Sequence, residues 1–556
     1  MMMKLFKFFR RSPRITVIMT VNDASRFFLE AAINSVRTQD YKNWELLIID
    51  NGLTAESISG YLRSLTDKNI KVRFLSIKQD SCAALNDAVP MAQGGYVAFM
   101  KSSDILAVEA LSLIAGTIRE KGADMVYSDE DVVAPMGKFV RPYFKPEYSP
   151  EALLSCNYMG YIVAIKKSII LAIGGFRKEL EAAKYHDLWL RCVEKTGKVC
   201  HIPKVLYHRR GLPCNAERDV ISDQRKVADG VKAVTEACER RGISAAVSEG
   251  AYFGTYRIRR NIIGNPKVNI IIPFRDKPKY LKSCIDSILA KTSYKNFDIL
   301  AVDNNSIEEE TAALVREYEL SGNKIAFIKY DGKFNYSKMN NYAVGLCAGE
   351  HIVLLNNDVE IITGDWLEEL LAHSQRPEVG AVGAKLYYPD GKIQHAGVII
   401  GMDGVAGHAH KNIDKHGSGY FHKGAITQNI SAVTGACMMI KRKLYIDIGG
   451  LDDRYLPVAY SDTDLCLRLA EKGYKNIFTP YCELVHHESV SRGKIMMNHE
   501  LKTLMQQIEY FKRRHKKILN EGDPYYSPNL PLNVENLDFL NRASNSMRSV
   551  EVNLAF

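Results

Sequence analysis

The sequence predicts an α/β protein made of two tandem doubly wound domains, each with a mostly parallel, Rossmann-like sheet, followed by a helical tail. Three observations carry that prediction. The 556 residues are 46% hydrophobic and 25% charged, an ordinary globular balance that can fill more than one core. The chain repeats itself over a unit far longer than a solenoid repeat. Within each copy, continuous apolar runs alternate with amphipathic helical stretches, the pattern of strands buried on both faces of a parallel sheet.

The elements follow in order. Residues 1–13 form a basic amphipathic segment in which Lys4, Lys7, Arg10 and Arg11 interleave with Leu5, Phe6, Phe8 and Phe9. That pattern suits an anionic membrane surface, and equally a solvated basic tail. The first copy spans 14–225, with strands expected at 15–19, 46–49 and 96–100. Residues 226–265 read as a helix and connector. The second copy spans 266–493, with matching strands at 268–272, 299–302 and 351–355. The remainder, 494–556, is a helical extension over 501–517 and a tail without clear periodicity.

The repeat is legible as paired segments. YKNWELLIIDNG (41–52) matches YKNFDILAVDNN (294–305), and GGYVAFMKSSD (94–104) matches GEHIVLLNNDV (349–359). IGGFRK (173–178) matches IGGLDD (448–453), and HDLWLRCVEKTGK (186–198) matches TDLCLRLAEKGYK (463–475). From the second pair to the last, the second copy gains 22 residues.

Charge and cysteine usage narrow the function classes. Lys and Arg number 74 against 64 Asp and Glu, a net charge of +10, which points to an anionic partner such as a phosphate-bearing ligand or a membrane surface. No nucleic-acid-binding motif accompanies it, so nucleic acid is not expected as a partner. The 11 cysteines stand singly without CxxC, as reduced thiols do. No run of 18 apolar residues occurs, and the N-terminus lacks the pattern of a signal peptide. The expected location is cytoplasmic, with peripheral contact to the inner face of the membrane through residues 1–14.

Ligands of doubly wound sheets bind beyond the carboxyl ends of the strands. There the second copy carries Asp303 and the run Asn356, Asn357, Asp358. A hard cation such as Mg²⁺ or Mn²⁺ takes carboxylate oxygens, and one carboxylate with one histidine suffices if a diphosphate completes the shell. The same residues also suit a strand-ending turn. Farther on, Ser461-x-x-Asp464 has the form of a capping box, with Ser461 as N-cap and Leu465 and Leu469 as the buried stripe. Asp462, in the first turn, is left for general-base chemistry or for the helix dipole. His486 and His487 end another strand near Arg492, as candidate ligands of a Mn²⁺-class ion or as surface histidines. Pro273-Phe274-Arg275-Asp276 follows the first strand without a glycine cluster, which excludes a dinucleotide-binding dehydrogenase and disfavours a nucleotidyltransferase.

Taken in order, VDNNS (302–306), LLNNDVEI (354–361), KIQHAGVIIG (392–401), GVAGHAH (404–410), NISAVTGACMMI (429–440), VAYSDTDLCLRL (458–469), VHHESVSRG (485–493) and DPYYSPNL (523–530) resemble the tandem, inverting family 2 glycosyltransferases of bacterial O-antigen and related surface polysaccharides. The resemblance implies two GT-A-like domains. It also implies transfer of a sugar from a nucleotide-diphosphate sugar to a glycan or lipid-linked acceptor, with Mn²⁺ or Mg²⁺ as cofactor. It assigns Asp462 as catalytic base, and Asp358 with one of His486 and His487 as metal ligands. Asp303, Asn341, Asn356, Asn357 and Arg492 are its nucleotide-sugar contacts. Asn356 departs from the first acid of the family's metal-binding motif.

The first copy is expected to be degenerate. On the repeat spacing, Lys101 stands for Asn356, Ser103 for Asp358 and Tyr185 for Asp462, while Asp50 and His208 parallel Asp303 and His486 and Asp104 falls one residue late. Two other readings follow from the same comparison: an enzyme with both sites active, or a non-catalytic glycan- or nucleotide-sugar-binding scaffold.

Overall fold

The computed structural model describes residues 12–21, 25–50, 55–75, 80–134, 137–210, 220–322, 324–487 and 498–534. Residues 1–11 of the basic segment, and Arg492, lie outside the described residues. The chain divides into two compact units, the first running to Ile258 and the second from Arg259 to Tyr526.

The first unit contains β1 (Ile15–Val21), β2 (Trp44–Asp50), β3 (Ile70–Phe74), β4 (Tyr96–Lys101), β5 (Ile105–Leu106), β6 (Met125–Val133), β7 (Phe139–Tyr143), β8 (Val163–Lys166) and β9 (Val199–Arg210). They form one sheet in the order β3-β2-β1-β4-β8-β6-β9-β5, with β7 against β6. A two-stranded ribbon, β10 (Ala245–Glu249) and β11 (Tyr256–Arg260), follows the long helix Val220–Arg240.

The second unit repeats the plan with β12 (Val268–Phe274), β13 (Phe297–Asp303), β14 (Ile325–Lys329), β15 (His351–Leu355), β16 (Val359–Ile361), β17 (Val379–Tyr387), β18 (Ile393–His395), β19 (Val398–Ile400), β20 (Ala406–His408), β21 (Gln428–Ile430), β22 (Cys437–Lys441) and β23 (Lys475–His486). Its sheet order is β14-β13-β12-β15-β22-β17-β23-β16. The strands β14, β13, β12 and β15 are parallel, and β12 is buried at every position, which is why it reads as an unbroken apolar run. The extra residues of the second copy lie between β17 and β22, where β18 to β21 have no full counterpart between β6 and β8.

Two of the repeated segments prove to be one structural device. Arg191 donates to Asp187 one helical turn before it, and to the carbonyls of Ile173 and Gly175 at 2.9 and 2.6 Å. Arg468 does the same with Asp464 and with Ile448 and Gly450 at 2.8 and 2.6 Å. The guanidinium fork thus ties the Ile-Gly-Gly turn to the following helix in each unit, using several of its donors at once.

The last helix of each copy belongs to its unit and is not an appendage. In the second unit, Phe511 of the Asn498–Arg514 helix is fully buried and packs into the core beside Leu465, Leu469 and Phe478. Periodicity located the helix but could not say which surface its apolar stripe covers.

Candidate active site

The site of the second unit is assembled at the carboxyl end of β15. The chain leaves β15 through Asn356, Asn357 and Asp358 and re-enters the sheet as β16, which runs antiparallel to β23 with Val359 opposite His486. That register sets Asp358 beside His486. The carboxylate Oδ1 lies 3.2 Å from His486 Nε2, and both residues are buried. Asn356 Nδ2 lies 3.3 Å from the same nitrogen. Asn357 is buried in the same turn.

Gln394 decides which face of the imidazole is turned to Asp358. Its Nε2 donates to the His486 carbonyl at 3.2 Å, so its Oε1 is left to accept from His486 Nδ1 at 2.6 Å. With Nδ1 carrying the proton, the Nε2 lone pair points at the Asp358 carboxylate. Two lone-pair donors facing each other in a buried place fit a cation between them, and a carboxylate with an oriented imidazole is the donor set that a Mn²⁺-class ion accepts. Burial raises the Asp358 carboxyl, and where His486 is doubly protonated its hydrogen bond and charge outweigh burial and hold the group below its usual range; in the Nδ1–H tautomer that positive charge is missing, and a cation would take its place. Among the described residues no cluster of three or more His, Cys, Asp and Glu side chains could hold a metal. An ion at this pair would draw its other ligands from waters or from a bound phosphate.

Behind this pair, His395 Nδ1 lies 2.7 Å from His408 Nδ1, and the Gly397 amide donates to His395 Nε2 at 3.3 Å. Burial first, then His408 and His486, push His395 far down, so it stays neutral. The QHAG segment thus holds His486 through Gln394, and GHAH holds the neighbouring His395. Sequence reasoning named these segments without giving Gln394 a role. The signal available was a glutamine beside a histidine in a strand that pairs with a buried neighbour.

His487 goes elsewhere. Its Nε2 lies 2.9 Å from Glu360 Oε1, its ring packs edge-on to Tyr280, and only its backbone amide reaches the Asp358 carbonyl. Adjacent strand residues point to opposite faces, so only one of the two imidazoles can face Asp358.

Asp462 reaches the backbone segment to which the turn of Asn356 to Asp358 is bonded. Its Oδ2 accepts from the Gly435 amide at 2.7 Å, while the Asn356 amide donates to the Ala436 carbonyl at 3.1 Å. Asp462 and Asn356 therefore grip consecutive residues of one backbone segment. A Cβ at Gly435 would come within 2.9 Å of the Tyr336 hydroxyl, so a larger residue there would push that side chain aside. Ser461 is not the expected N-cap. The cap position is Tyr460, at a left-handed φ of 60°, with no side-chain cap bond. Asp464 does not cap either; it receives Arg468, Arg514 and His515.

Asp303 ends β13, two strands from β15 at the same sheet edge. Its Oδ1 accepts from the Ser306 amide and hydroxyl at 2.9 and 2.6 Å. Asp276, Lys277 and Asn305 of the adjoining loops all hold positive φ, which places strain at this rim. Asn341 is used within the protein: its amide bonds Leu451, Asp453 and Tyr445, bracing its helix against the Gly450 turn.

The first unit differs at each of these places. Ile105 pairs with His208 as Val359 pairs with His486, so strand register aligns Asp104 with Asp358, correcting the Ser103 alignment from repeat spacing. Asp104 is buried and accepts from the Tyr207 hydroxyl at 2.7 Å and the Arg210 amide at 2.9 Å. Its histidine turns away: His208 bonds Asp131 at 2.7 Å. Tyr185 lies among Phe99, Tyr161, Phe176 and Trp189, and Lys101 lies over the Tyr161 ring at 4.2 Å.

The model of Glycosyl transferase family 2 matches residues 16–163 and 269–449, one stretch in each unit. The chain belongs to that family. The glycosyltransferase is 38% identical over 97% of its length to the protein y4gI of Sinorhizobium fredii, covering 59% of that protein. It is 36% identical over 94% of its length to the O-antigen biosynthesis protein RfbC of Myxococcus xanthus, covering 40% of it. It thus spans roughly half the length of these relatives. Among solved structures, the mannosyltransferase PcManGT of Pyrobaculum calidifontis, in complex with GDP-Man and Mn²⁺, aligns with a TM-score of 0.33 and 16% identity over 45% of this chain and 65% of that one.

Proposed function

We propose that this glycosyltransferase moves a sugar from a nucleotide-diphosphate sugar to a hydroxyl of a glycan or lipid-linked acceptor, with inversion, in the second unit. The observation that carries the reading is the convergence of Asp358, His486 and Asp462 on one turn and one backbone segment. Asp358 and His486 would hold a divalent ion, Mn²⁺ or Mg²⁺. Bound there, such an ion supplies charge neutralisation for the leaving diphosphate. Asp462 takes the proton from the acceptor hydroxyl, whose oxygen bonds the anomeric carbon as the carbon–phosphate-oxygen bond breaks. Asp303, at the end of β13, would read the nucleotide base. The relationship to RfbC supports a role in surface polysaccharide synthesis, and the ten described cysteines, all free, suit a reducing cytoplasm.

In the first unit the carboxylate before β5 is committed to Tyr207 and Arg210, and aromatic rings fill the place of the base. We assign it a supporting role without transfer. The test is a panel of UDP-, GDP- and dTDP-sugars with Mn²⁺ or Mg²⁺, read as nucleotide release with an acceptor extract. Asp462→Asn and Asp358→Ala abolish release on this reading, and Asp104→Ala leaves it intact. Loss on changing Asp104 alone, in a variant that remains folded, would make the protein bifunctional; activity retained in D462N would refute the assignment of the base.

A further inference from the structure

Asp462 is presented by a strained turn, and the helix that holds the turn comes from the far C-terminal side. Tyr460 sits at φ 60°, a conformation a tyrosine keeps only when its surroundings impose it. The two residues before it have their amides tied to one atom. Gln507 Oε1 accepts from Val458 at 3.0 Å and from Ala459 at 2.8 Å. Gln507 is buried, and Phe511, one turn farther along the Asn498–Arg514 helix, packs its ring at 5.3 Å from that of Tyr460. The same helix holds the flanks. Tyr510 donates to Asp452 at 2.8 Å and stacks on Tyr455, and Arg514 and the next residue after the helix, His515, bond Asp464 at 2.9 and 2.8 Å.

The first unit has the same brace in thinner form. There Asp229 of the Val220–Arg240 helix accepts from the Ala182 amide at 2.9 Å, and Glu236 reaches Asp187 through Arg177. One bond stands where the second unit has two, and the residue it would steady is Tyr185 rather than an acid. The doubled bond thus accompanies the carboxylate.

We propose that Gln507 is a positioning residue for the base: it fixes the backbone of 458–459, forces the turn at Tyr460 and so aims Asp462 at the acceptor hydroxyl. The inference rests on Asp462 being that base. A ligand-binding residue would change KM; a residue that only aims a base changes kcat.

The test uses the full chain and the nucleotide-sugar panel with Mn²⁺, reading nucleoside diphosphate release. Q507L removes the acceptor, Q507E restores one of the same reach, and D462N is the control. The expectation for Q507L is a kcat lowered by about tenfold to a hundredfold, as misplacement of a reacting group by an ångström gives. Its KM for the donor and its affinity for UDP with Mn²⁺ stay within about twofold. Q507E recovers kcat. Unchanged kcat in Q507L overturns the proposal, and so does an equal loss of kcat in Q507E with wild-type thermal stability. If Q507L is too unstable to assay, the shorter Q507N reads the same split. Release that persists in D462N instead removes the underlying reading of the base, a result distinct from any obtained with the Gln507 variants.

Discussion

Replacing Gln394 by leucine tests how the proposed metal-binding pair is built. The side chain is 4% exposed and spends both ends of its amide on His486. Leucine leaves a buried Nδ1–H and a buried carbonyl without partners. Each unsatisfied group costs about 1–3 kcal/mol, partly offset by the apolar volume gained, for a net destabilisation of about 2–4 kcal/mol. The second consequence is chemical. Without an acceptor at Nδ1, the proton can move to Nε2, and the nitrogen facing Asp358 loses its lone pair. Removing such an orienting partner lowers metal affinity by about 10–100-fold. The assay is calorimetric titration of Mn²⁺ into wild type, Q394L and Q394E, with thermal unfolding run in parallel. Q394E, which can still accept from Nδ1, should bind more tightly than Q394L. A folded Q394L that binds Mn²⁺ as tightly as wild type would refute the argument that Gln394 sets the tautomer of a metal-binding His486.

Two further outcomes are expected. Asp104→Ala, proposed to leave transfer intact, still strands the Tyr207 hydroxyl and the Arg210 amide, so calorimetry should show a destabilisation of about 2–4 kcal/mol. His351 carries a pH dependence: burial, with the charge of Lys441 second, pushes it from 6.5 to about 4. The unfolded chain then binds the proton more readily than the folded one. Stability from this group is complete above 6.5 and is lost as pH falls from 6.5 towards 4, by up to about 2 kcal/mol at pH 5. His351→Gln should flatten that part of the stability profile measured by denaturant titration between pH 5 and 7; an unchanged slope would count against it.

The sequence by itself determined the fold class and the doubling, and it picked out the candidate site residues by their chemistry. Strands buried on both faces must be continuously apolar, so 268–272, 299–302 and 351–355 announce themselves, and β12, β13 and β15 contain them. Acids at strand ends stand out for the opposite reason, since a carboxylate there has no packing duty. Local reading failed where a residue's partner is remote in the chain. The capping-box pattern at Ser461 was outcompeted by Arg468, Arg514 and His515, which together claim Asp464. Repeat spacing aligned Ser103 with Asp358 because the first copy carries one more residue in the turn, a shift visible only in the pairing of β5 with β9.

Which histidine faces Asp358 was likewise decided by strand register, because a pleat turns neighbouring side chains apart. Gln394, Gly435 and Gln507 entered the site only in three dimensions. Each acts through backbone or imidazole groups dozens of residues away, and the need to satisfy buried polar groups is met across space, where sequence spacing carries no trace of it.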